Sequence, residues 1–106
     1  EIIEQIEPVF FPEVNWEIRE DTLFIHEINN DRNLGIILDV NEIKAIDYFR
    51  RHIGLKNIAI SLASATDQNV DEVFSTVTSL FFRLASLRIC HPQKIYRIDE
   101  LARAKK

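Results

Sequence analysis

The chain has 106 residues, 46% of them hydrophobic and 28% charged, with two glycines and three prolines. That balance excludes disorder and low complexity, and the length suits a single domain over residues 1–106 with its own core. One cysteine, Cys90, excludes an internal disulfide. Arg83 and Arg88 interrupt the most apolar stretch, which excludes a membrane span there. The acidic start, Glu1-Ile2-Ile3-Glu4, is unlike a secretory signal, so a reducing, cytoplasmic setting is expected. A chain that lacks methionine and begins at Glu1 is also expected to be a fragment of something longer.

Charge is unevenly distributed. Residues 1–47 carry twelve carboxylates against Arg19, Arg32 and Lys44, a net of −9, whereas residues 48–106 carry a net of +5. Such polarity favours pairing with a charged partner or with a second copy, and it makes the C-terminal half the anion-binding side.

In chain order, Ile2, Ile3 and Ile6 predict a short helix over 1–7 that Pro8 ends. Val14, Trp16 and Ile18 alternate with polar residues and predict a half-buried strand with Trp16 as its main core anchor. Residues 20–22 then form a turn, and a second strand follows over 23–28. Asn29 to Asn33 supply another turn, because short polar side chains bond their own backbone and tolerate left-handed angles. The third strand, 34–40, is apolar almost throughout, the pattern of a central strand covered on both faces. A helix over 42–53 follows, capped by Asn41 and ended by Gly54. Large Ile58, Ile60 and Leu62 alternate with small Ala59, Ser61 and Ala63, which predicts a buried strand over 56–63. Asn69 and Glu72, at capping-box spacing, start a long helix over 70–89. Residues 94–98 read as an edge strand leading into a helical tail. The expected fold class is therefore α+β, in the order α-β-β-β-α-β-α-β-α: a three-strand antiparallel meander, then helical crossovers, with helices packed on a mixed sheet.

Residues 36–47 hold Asp39 and Asp47 in a strand-and-loop setting that resembles sulfate transporter and anti-sigma-factor antagonist domains. Tyr48 and Phe49 stand where that family has its phosphorylated hydroxyl residue. A helix followed by a three-strand meander also resembles the core order of restriction-endonuclease-like enzymes. That resemblance implies a metal-dependent nuclease with Asp21 and Asp39 as ligands, although Asn41 occupies the lysine position. His26 and His52 fall on separate elements, and the adjacent Cys90 and His91 lack the paired spacing of a zinc motif. With two glycines there is no phosphate-binding loop, and no cofactor is expected.

The long helix carries the leading functional expectation. Val77, Leu80, Phe81, Phe82, Leu84 and Ala85 spread apolar surface around most of the cylinder, so part of it needs cover from another chain. That predicts a non-enzymatic regulatory or interaction domain that associates with a protein partner or with itself as a homo-oligomer. The alternative is nucleic-acid association through Arg83, Arg88, Lys94, Arg97 and Arg103.

Overall fold

The computed structural model describes residues 2–29 and 31–92. In order these form α1 (Ile2–Gln5), β1 (Pro8–Phe10), β2 (Val14–Arg19), β3 (Thr22–Glu27), β4 (Arg32–Ile37), α2 (Val40–Tyr48) with a 3-10 turn over Phe49–Arg51, α3 (Leu55–Thr66), α4 (Val70–Ser86) and β5 (Cys90–Pro92). Strands β2, β3 and β4 make the expected antiparallel meander, with β3 at its centre, and helices pack against it. A separate two-stranded ribbon joins β1 to β5, pairing Val9 with His91. The predicted strand and tail over 94–106 lie outside the described residues.

The meander follows from alternation. Trp16 opposes Ile25, which opposes Leu34, and Ile18, Leu23 and Ile36 line up in the same way, so one face gathers the apolar side chains. Leu23 and Ile25 are buried from that face, joined by Val14. Trp16 is only half-buried, packed at the margin of the core against Phe10 and Arg50, which corrects its expected place at the centre.

Two further expectations fail, each for a physical reason. Residues 56–63 are helical, within α3. Leu55, Ile58, Ala59, Leu62 and Ala63 are the buried positions, a spacing of three and four that coexists with the large-small alternation. Ala59 and Ala63 are buried, at 0% and 2% exposure, in a helix that packs among α1, α2 and α4. Among the described residues the three-strand sheet is therefore wholly antiparallel, without helical crossovers. The third strand, in turn, is an edge strand. Leu34 and Ile36 point inward and are half-buried, whereas Ile37 points outward and is 73% exposed.

The helix termini have simple causes. Asp39, not Asn41, caps α2: its carboxylate accepts the Glu42 N–H at 2.8 Å, and the Glu42 carboxylate accepts the Asp39 N–H at 2.9 Å. Asn69 caps α4 as expected, accepting from the Asp71 and Glu72 N–H groups. Gly54 opens α3 rather than closing α2. A Cβ there would lie 3.0 Å from the Glu4 carbonyl oxygen, so glycine admits α1, and His52 takes the left-handed conformation instead. Helix α4 ends at Ser86, short of the expected residue 89, and Ile89 beyond it is fully buried like Leu80 and Leu84 of the helix.

Candidate functional site

Among the described residues, β4 is an edge strand with no neighbour on its outer side. Its phase is set at one end, where Leu38 N–H donates to the Asp21 carbonyl at 2.8 Å. In an antiparallel ladder the bonding direction alternates residue by residue, so Arg32, Leu34 and Ile36 bond toward β3. Asn33, Gly35 and Ile37 then direct their N–H and C=O groups outward, away from the sheet. The opposite edge is more encumbered: Val14 N–H donates to the Phe11 carbonyl at 3.0 Å, and the Trp16 ring stacks on Phe10 with centroids 4.6 Å apart.

Two side-chain contacts tie the C-terminal end of α4 to this part of the fold. Arg32 spans the start of the edge, its Nη2 donating to the Glu27 carboxylate and to the Leu87 carbonyl, both at 2.8 Å. Arg83 reaches the α2 cap, 3.0 Å from the Glu42 carboxylate. The edge finishes in Ile37, 73% exposed, with Val40, 66% exposed, at the start of α2, and Asp21 and Asp39 lie at this end of the sheet.

The outward face of the sheet carries a shallow concavity of about 660 Å³, lined among others by Glu17, Arg19, Phe24, His26, Asn33 and Gly35. The Arg19 guanidinium lies 4.2 Å from the Phe24 ring centroid and pairs with Glu17 at 3.2 Å, while His26 Nδ1 and Asn33 Oδ1 are 2.8 Å apart.

Most residues singled out in the sequence lie elsewhere. Val77, Leu80, Phe81 and Leu84 belong to the buried core cluster. Ala85 is half-buried, and Phe82 is 47% exposed. Asp21 and Asp39 lie at the same end of the sheet, but Asp21 accepts from the Thr22 hydroxyl and Asp39 is a helix cap. No group of three His, Cys, Asp or Glu among the described residues converges as metal ligands. His52 is exposed, and His91 packs on Phe11 with centroids 4.6 Å apart. Burial pushes the Cys90 thiol up to about 12. Of the basic residues, Arg83 is engaged by Glu42, and Arg88 shares a cavity of about 460 Å³ with Glu13 and Glu27. Lys94, Arg97 and Arg103 lie outside the described residues. Sequence reasoning passed over Gly35; a lone glycine inside an apolar strand was the available signal.

An antiparallel meander with helices packed against it and, among the described residues, one strand edge open is thus the class of structure these residues define. No protein-family model matches the chain, and no curated protein matches it. Among solved structures it resembles TbiB1 in complex with the TbiA(beta) leader peptide, with a TM-score of 0.63 and 10% identity, over 83% of this chain and 96% of that one. At that identity the likeness is one of fold. No helix among the described residues is long and apolar enough to cross a membrane.

Proposed function

We propose that this domain is a non-enzymatic docking module that takes an extended peptide segment of a protein partner as an added strand on β4. The observation that carries the reading is the β4 edge itself: Asn33, Gly35 and Ile37 turn their backbone groups outward beside an isoleucine that is 73% exposed. A row of unpaired edge groups templates another strand, and main-chain bonds then supply affinity while alternate side chains supply selectivity. Support comes from the fold it shares with TbiB1, which is seen with a leader peptide.

Association through the long helix has a smaller footing, since four of its six expected contact residues are core. A second copy pairing along β4 would use the same edge as a peptide, and sedimentation at micromolar concentration separates the two.

The test is to pan a phage-displayed library of random dodecapeptides against the folded domain and map a selected peptide by amide hydrogen exchange. The Asn33, Gly35 and Ile37 amides should exchange fast in the free domain and become protected in the complex. Ile37→Pro removes one outward donor from an edge position that tolerates proline, and should weaken binding while leaving the fold intact. Protection confined to α4 around Phe82, or binding indifferent to Ile37→Pro, would refute strand addition.

A further inference from the structure

Gly35 is a glycine that this chain does not need. It is not in the left-handed region. A Cβ added there would meet only ordinary contacts, Thr22 Cγ2 at 3.7 Å and Phe24 Cε1 at 3.9 Å. Glycine weakens a strand because it packs nothing and gives up more backbone freedom on folding, so a glycine that neither conformation nor internal packing requires marks a close approach from outside. Its position fits that reading: among the residues that bond outward from β4, it is the middle one, between Asn33 and Ile37.

The gap it leaves has a built wall. Phe24, cross-strand from Gly35, is 38% exposed and reaches toward the gap with Cε1, while Arg19 lies on its ring and Glu17 holds Arg19. His26 and Asn33 bond to each other on one flank. A row therefore runs from Arg19 through Phe24 to an empty place at the sheet's rim. Charge complements it at the other flank, where Asp21 and Asp39 close the Ile37 end of the edge and neither has an ion-pair partner among the described residues.

From this arrangement we infer that Gly35 is the selectivity subsite of the docked strand. It accepts an aromatic side chain on the peptide residue that pairs with Gly35, and Lys or Arg follows on the stretch that passes Asp21 and Asp39. Neighbouring strands lie about 4.8 Å apart, so a ring leaning from an added strand across a residue without a side chain meets Phe24 at an aromatic-pair separation of about 4.5–7 Å. A valine or larger side chain at 35 would occupy that place. This inference rests on the strand-addition reading and narrows it to one class of peptide.

The experiment pans the same dodecapeptide library against the wild-type domain, Gly35→Val and Phe24→Ala, with amide exchange to confirm that selected peptides lie on β4. Wild-type binders should share an aromatic residue at one position, with Lys or Arg to one side of it. A wild-type-selected peptide should bind Gly35→Val and Phe24→Ala about tenfold more weakly, the order expected for an aromatic contact. Gly35→Val should still select peptides on β4, now without the aromatic preference. Its Cβ fits, so an intact amide spectrum is expected, and Phe24→Ala gives an independent reading of the same contact. Peptides that protect β4 yet show no aromatic preference, or that bind Gly35→Val as tightly as wild type, overturn the subsite and leave strand addition standing. A library with no β4 binder removes both.

Discussion

Truncating Trp16 to alanine tests how the meander is tied to the rest of the fold. The ring lies at the edge of the core, stacked on Phe10 of β1 with centroids 4.6 Å apart and planes 18° from parallel, and the Arg50 guanidinium lies 4.1 Å from its centroid. One side chain thus joins β2 to the β1–β5 ribbon and to the turn that follows α2. A buried tryptophan removes about 150–250 Å² from water. Taking about 150 Å² for this half-buried ring at about 25 cal/mol per Å² gives roughly 4 kcal/mol, and denatured-state compaction reduces that to about 3 kcal/mol. Loss of the stack and of an exposed cation–π contact adds about 1 kcal/mol together. The expected loss is therefore about 3–4 kcal/mol out of the roughly 5–15 kcal/mol that holds such a domain, with a fall in Tm of roughly 10–20 °C. Urea unfolding followed by circular dichroism measures it without needing the tryptophan. Trp16→Phe keeps a ring on Phe10 and should recover more than half of the loss. A Trp16→Ala cost below about 1 kcal/mol would refute the reasoning and show that the ribbon is held without the ring.

Burial keeps the Cys90 thiol neutral up to about 12, whereas in the unfolded chain it ionises near 9. The unfolded state therefore binds fewer protons above pH 9. The stability that this burial supplies should be complete below pH 9 and decline as pH rises toward 12, with a slope of at most about 1.4 kcal/mol per pH unit. Unfolding titrations from pH 7 to pH 11 check this, and an unchanged decline in Cys90→Ala would assign it to other groups. Phe82→Glu changes a side chain that is 47% exposed, so its effect should stay within about 0.5 kcal/mol and the sedimentation coefficient should not move. A shift to a smaller species would restore the long helix as an interface. Asp39→Ala removes the α2 cap and should cost about 1 kcal/mol, measurable as a lower urea midpoint at constant m-value, while Asp39→Asn should cost far less.

Short-range pattern settled the kind of most elements here, because a strand's period of two and a helix's period of 3.6 are written into neighbouring residues. Val14, Trp16 and Ile18 alternate on β2, and Leu23 and Ile25 answer them across a tight turn, so the meander and its register were legible. Asn69 marked the start of α4 for the same local reason. Residues 55–63 satisfied both periods at once, and only tertiary packing, which buries Leu55, Ile58, Ala59, Leu62 and Ala63 among the neighbouring helices, decided for the helix. The pairing of β1 with β5 joins residues some eighty positions apart, and no local signal encodes it. The candidate site was hidden by the same limit. An apolar run such as Leu34 to Val40 shows that side chains want cover; whether a strand gains a neighbour on each side depends on where the rest of the chain goes. Here α2 leaves the sheet after Ile37 and no described strand returns beside β4, and only that absence of a neighbour turns Gly35 and Ile37 into an open edge.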